Sequence, residues 1–325
     1  MPILPTPNYS PPFPFCNGNL ATLYPPVFRA TPKTNHCHER IETPDNDFLD
    51  MDWHACRIGK SRRLAIISHG LEGHSRKKYM LGMARMVTGL GYDAACWTQR
   101  GCGKGINRHA RFYHSGETDD LHAVVTHCLK TRNYDEIMLI GFSMGGNQIL
   151  KYLGENASRV PAEITTAATF SVPCDLGATE RLISKPTMRI YFEYFMLGLR
   201  QKIRAKGKMF PDIVNPAELN GINSLRQFDD RFTAPLNGFE NAEEYYTQSS
   251  CKQFLMSIRI PTLLVNAQND PFLPPECYPM DEAETNPNLF LEIPKHGGHV
   301  GFVLNHGDNV YWSENRIKNF IEKDK

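Results

Sequence analysis

Gly141-Phe142-Ser143-Met144-Gly145-Gly146 stands between two segments of opposite habit. Before it runs Glu136-Ile137-Met138-Leu139-Ile140, a short apolar stretch suited to a strand. After it, Asn147-Gln148-Ile149-Leu150-Lys151-Tyr152-Leu153 has the spacing of a helix. A strand that becomes a helix through a G-x-S-x-G string must bend sharply at the serine. Only small neighbours avoid collision across such a bend. The bend holds a hydroxyl out at the end of a sheet, next to a helix N-terminus. The stretch therefore reads as a nucleophile elbow, and it calls for a sheet whose strands are joined by helices.

The rest of the chain supplies that alternation. Ile41 to Trp53 reads as two strands joined by a Pro-Asp-Asn-Asp turn, with Phe48, Met51 and Trp53 in imperfect alternation. Leu64-Ala65-Ile66-Ile67-Ser68 is a continuous apolar run, as expected of a strand covered on both faces. A helix is expected from Lys78 to Leu90, a strand at Asp93 to Trp97, and a helix opening at Thr118 with acids in its first turn. Strands follow at Thr165 to Val172, Pro261 to Ala267 and Leu289 to Ile293, and a last helix at Trp312 to Glu322. The expected fold is α/β, a mostly parallel, doubly wound sheet whose site lies beyond the carboxyl ends of the strands. The 325 residues read as a single domain, with a Pro-rich extended arm over about 1–35 and a helical cap inserted at about 174–257. The cap carries an aromatic block, Ile190 to Leu199, expected to bury itself against the core or to line an acyl pocket.

Serine is a weak nucleophile without a base. In this architecture the partners follow in the order serine, acid, histidine. Asp270 comes just past the strand ending at Ala267, and His296 and His299 come just past the last strand. His299, entering a new segment between Gly298 and Val300, is the better placed of the two. The expected triad is Ser143, Asp270 and His299. An oxyanion needs two N–H donors. Met144, directly after the serine, supplies one. Leu71 supplies the other, in a loop of H-G-x-x-G form where Gly70 and Gly73 let the backbone fold over. His69 shapes that loop rather than reacting. Arg100-Gly101-Cys102-Gly103-Lys104-Gly105 lacks the ending of a phosphate loop and reads as a flexible loop near the site, with Cys102 a candidate accessible thiol.

These residues resemble the α/β-hydrolase superfamily, and within it the YheT-like group of esterases and lipases. The resemblance is carried by His69 to Gly73, Arg100 to Cys102, Tyr113 to Asp120, Gly141 to Asn147, Ser171 to Leu176, Phe228 to Pro235, Asn269 to Phe272 and His296 to Phe302. Even Gly18 to Pro25 is similar to the group's N-terminal arm. The resemblance implies a Ser143-Asp270-His299 triad and an acyl-enzyme route. One departure is Asn269, where the group often has a second Asp.

The function expected is cleavage of carboxylic esters, with acyl transfer on the same triad or ligand binding without turnover as the alternatives. No metal or organic cofactor is required. The substrate is a small ester or lipid-like molecule. A formal net charge of +1 leaves no electrostatic footprint for nucleic acid. Nine scattered cysteines without a C-x-x-C pair suit a reducing cytoplasm. No secretory signal pattern and no membrane insertion is expected, since no run reaches 18 apolar residues.

Overall fold

The computed structural model describes residues 3–5, 7–304 and 308–323. Eight strands form one sheet: β1 Cys37–Glu42, β2 Phe48–His54, β3 Arg63–Ser68, β4 Asp93–Thr98, β5 Glu136–Phe142, β6 Ile164–Phe170, β7 Thr262–Val265 and β8 Leu289–Glu292. Their order across the sheet is β1-β2-β4-β3-β5-β6-β7-β8. Strands β3 to β8 run parallel, and the β1–β2 hairpin is added antiparallel along β4.

The apolar runs are continuous because helices cover both faces. Leu64, Ile66, Ile137 and Leu139 pack with Leu121 and Val125 of the helix Asp119–Thr131 and with Ile149 and Leu153 of the helix Met144–Glu155. Their sequence neighbours Ala65, Ile67, Met138 and Ile140 point the other way. They meet Met80 and Ala84 of the helix Lys78–Gly89 and Ile317 and Phe320 of the helix Trp312–Lys323. Strand periodicity of two thus sorts adjacent residues into two cores.

The broken alternation of β2 has an electrostatic cause. All seven of its residues are buried, Asp50 and Asp52 included. Asp50 accepts from Arg40, and Asp52 from Arg76 and Ser75. A buried carboxylate is tolerated when it is ion-paired and hydrogen-bonded in this way.

Between β6 and β7 the chain leaves the sheet and is helical. The longest piece there is the helix Arg189–Met209. Phe192, Phe195, Met196 and Leu199 are buried from it, in a third apolar cluster with Phe112, Met144 and Phe272. Ile190, Tyr194 and Leu197 of the same aromatic block face outward. The block is thus amphipathic, with only one stripe facing inward.

The N-terminal arm is less extended than its composition suggests. Gly18–Phe28 is a helix despite Pro25 and Pro26 in its last turns, capped by the Asn17 side chain accepting from the Leu20 N–H. Tertiary contacts override propensity here: Ala21, Thr22 and Pro25 are buried.

Candidate active site

Ser143 follows the last residue of β5 at φ 54° and ψ −123°, and its helix begins at Met144. A non-glycine residue at such a φ is strained and is held by its surroundings. Two glycines make the bend possible. A Cβ on Gly141 would lie 2.6 Å from the Gly146 Cα, and one on Gly145 would lie 2.6 Å from the Ser68 carbonyl oxygen. The Ser143 N–H is tied to the Phe170 carbonyl at 2.8 Å. The hydroxyl therefore stands at the carboxyl end of the sheet, in line with the rule for such folds.

Three of the residues singled out in the sequence come together at this rim. His299 Nε2 lies 2.8 Å from Ser143 Oγ. His299 Nδ1 lies 2.9 Å from Asp270 Oδ2 and 3.1 Å from Oδ1. The Asp270 side chain has no exposure, and that of His299 only 11%. Asp270 Oδ1 also accepts from the Phe272 N–H at 2.9 Å, which fixes the carboxylate plane. The Phe272 ring packs on the imidazole with centroids 4.4 Å apart. With Nδ1–H donating to the carboxylate, Nε2 is left free to accept the serine proton. His296 is not part of this chain of bonds; its Nδ1 lies 3.2 Å from the Cys16 carbonyl.

The loop bearing His299 is held by residues far away in sequence. The His299 N–H donates to Thr22 Oγ1 at 2.8 Å, and Thr22 in turn donates to the Gly18 carbonyl. The Gly298 N–H donates to Asn269 Oδ1, while Asn269 Nδ2 donates to the Cys16 carbonyl. An aspartate at position 269 could accept the first bond but could not donate the second. Gly298, at φ 60°, sits where a Cβ would come within 2.7 Å of the Gly18 carbonyl oxygen. Thr22 carried no signal of its own in the sequence. The departure at Asn269 was the visible trace of this bracing.

The loop after β3 brings its backbone against the serine. A Cβ on Gly70 would lie 3.0 Å from the Ser143 Cβ. His69 is buried behind it and accepts from the Gln99 N–H at Nε2, with Nδ1 2.7 Å from the Gly70 carbonyl. Burial holds its pKa down at about 3, so it stays neutral as a loop brace. Leu71 and Met144 line a cavity of about 100 Å³ above Ser143 and His299. Phe112, Ile183 and Phe195 form part of its apolar wall, and Glu180 and Asp229 lie in its polar part. Burial pushes the Asp229 carboxyl up to about 7 against hydrogen bonds from Thr233 and Tyr246.

The loop after β4 packs against the helix Arg189–Met209. Cys102 is half-buried rather than freely accessible: its Sγ accepts from Lys202 Nζ at 3.4 Å, and desolvation pushes its pKa up to about 12, so it stays a thiol. Arg100 is likewise turned away from the site. It is buried, donating to Asp120 at 2.6 Å, Asp45 at 2.8 Å and Asp47 at 3.1 Å.

A family model described as the alpha/beta hydrolase fold matches residues 66–305. The chain belongs to the α/β-hydrolase fold family. This α/β hydrolase is 31% identical to "Putative esterase YheT" of Escherichia coli (strain K12), over 94% of this chain and 91% of that protein. It is 31% identical to Phospholipase ABHD3 of Homo sapiens over 88% of this chain and 71% of that protein. It is 29% identical to Monoacylglycerol lipase of Saccharomyces cerevisiae over 89% of this chain and 63% of that protein. Among solved structures, the Pyrococcus furiosus esterase Pf2001 superposes with a TM-score of 0.61 at 18% identity, over 90% of this chain and 91% of that one. Est1E from Butyrivibrio proteoclasticus, with ferulic acid bound, gives 0.57 at 14% identity, over 88% and 98%. At these identities the two structures bear on the fold of the hydrolase alone. Among the described residues, no helix is long and apolar enough to cross a membrane.

Proposed function

We propose that this protein is a serine hydrolase of carboxylic esters. The observation that carries the reading is the unbroken series of contacts from the Asp270 carboxylate through the His299 ring to Ser143 Oγ. His299 Nε2 takes the hydroxyl proton as Ser143 Oγ attacks the ester carbonyl carbon. Asp270 keeps the imidazole in the required tautomer and stabilises its cationic form. The Leu71 and Met144 N–H groups bind the oxyanion of the tetrahedral intermediate. The alcohol leaves with the proton from His299, and the acyl group remains on Ser143. Water, deprotonated by the same histidine, then releases the acid and restores the serine.

The lining of the cavity bears on the substrate. Among the described residues it includes two carboxyl groups, Glu180 and Asp229, and no lysine or arginine. An ester carrying a free carboxylate or phosphate would find no cation there, so uncharged esters with short-to-medium acyl groups are the preferred class. The helices between β6 and β7 act as the cap that shapes this pocket, and the arm at about 1–35 braces the histidine loop. The esterase and lipase names of the relatives agree with ester cleavage.

The test is the Ser143→Ala variant on p-nitrophenyl esters of graded acyl length. Turnover should fall by roughly 10⁴-fold or more while the fold is kept. Undiminished turnover in that variant would refute the assignment.

A further inference from the structure

Glu72 lies in the loop after β3, next to Leu71, and the triad chemistry leaves it without a task. Its backbone is unusual. The Gly73 N–H bonds back to the Gly70 carbonyl at 2.9 Å, so Gly70-Leu71-Glu72-Gly73 is a turn with Leu71 and Glu72 at its centre. Glu72 has a φ of 51°, at the third position of a turn, where glycine ordinarily supplies positive φ. Something outside the turn must hold it there.

Three groups do so. The Glu72 N–H donates to the Tyr113 hydroxyl at 3.1 Å, and that hydroxyl donates to Glu72 Oε1 at 2.5 Å. Lys202 Nζ donates to the same Oε1 at 2.9 Å, and both of those side chains are largely buried. Gly198, one turn earlier on the helix Arg189–Met209, leaves the notch in which the carboxylate sits. A Cβ on Gly198 would lie 2.1 Å from Glu72 Oε2. A lysine and a glycine four residues apart lie on one face of a helix. That face is keyed to the turn carrying Leu71.

We propose that Lys202 and Gly198 are positioning residues for oxyanion binding: they fix the Glu72 carboxylate, and through it the turn that presents the Leu71 N–H to the reacting carbonyl. The inference rests on the serine-esterase reading above. Without the latch, Glu72 relaxes toward negative φ, the turn changes its peptide orientation, and Leu71 leaves its place. An oxyanion donor contributes roughly 10²–10³ in rate when removed outright. A displaced donor contributes less than a removed one, so a loss of about 10–100-fold is expected.

The experiment compares the wild type with Lys202→Met, Gly198→Ala, Glu72→Gly and the Glu72→Gly/Lys202→Met double variant. The concentration of competent sites is counted by fluorophosphonate titration. Per titrated site, Lys202→Met and Gly198→Ala should lose about 10–100-fold in kcat on a p-nitrophenyl ester, with KM changed less than about threefold. Inhibition by a trifluoromethyl ketone, which mimics the tetrahedral intermediate, should weaken in parallel. The double variant should recover most of the loss, because glycine adopts positive φ without a latch. A purely structural role for Lys202 would lower the number of titrated sites and leave kcat per site unchanged in the single variants. Wild-type kcat and ketone affinity in both single variants would overturn the proposal, as would a double variant as slow as Lys202→Met. A wild type that cleaves no ester would instead overturn the proposed function itself.

Discussion

Thr22 and His299 lie 277 residues apart, yet one hydroxyl of the first holds the backbone of the second. The proposed base depends on that bond, because an imidazole on a loose loop spends little time within reach of Ser143. Thr22→Val keeps the shape and leaves the His299 N–H without its acceptor. A lost hydrogen bond to a partly buried donor costs about 1–3 kcal/mol. We expect kcat/KM on a p-nitrophenyl ester to fall about tenfold, measured by steady-state kinetics; an unchanged value would mean the loop is held by other contacts. Asp270→Asn should cost far more, about 10⁴-fold in kcat, since the amide favours the wrong imidazole tautomer. That Ser143, Asp270 and His299 would meet was legible in the sequence, because each follows a strand in a fixed order. The role of Thr22 was not, and Asn269 showed only as a departure without a reason, since their partners become neighbours only once the arm has folded back across the sheet rim.

At the scale of elements, the acidic and basic motifs turn out to be joints. Arg100 ties the loop after β4 to the β1–β2 turn through Asp45 and Asp47, and to the start of the helix Asp119–Thr131 through Asp120. Arg100→Met would leave those carboxylates without their shared cation, two of them buried. The expected loss is about 3–5 kcal/mol of unfolding free energy, read from urea denaturation. Asp229, between the helices above the site, works in the opposite sense with pH. Its folded pKa of about 7 exceeds the value near 4 of an unfolded chain. Below about pH 4 both states hold the proton and its contribution is fully present. As pH rises toward 7 the unfolded chain releases the proton first, so that stability is lost, and above 7 the loss is complete. The stability of wild type relative to Asp229→Asn should therefore decline by roughly 2–4 kcal/mol between pH 4 and 7. A pH-independent difference would contradict the raised value. The helical texture between β6 and β7 was readable from its aromatic block. The helix Gly18–Phe28 was hidden by two prolines, because its stability comes from docking rather than from propensity.

At the scale of the molecule, the sheet explains why residues from four separate loops meet. Parallel strands β3, β5, β7 and β8 all end at one rim, so the turns bearing Leu71, Ser143, Asp270 and His299 converge there. The continuous apolar runs made the parallel sheet legible, and their two-faced burial is what that pattern physically means. The shape of the pocket was not legible, because it depends on how the inserted helices pack against Phe112, Met144 and Phe272. The most direct measurement is mass spectrometry of the protein after reaction with a fluorophosphonate. One equivalent should attach, on the peptide bearing Ser143, with labelling slowed by roughly 10³-fold or more in His299→Ala. A protein that cleaves esters while Ser143 stays unmodified, or that carries the adduct on another residue, would contradict the account.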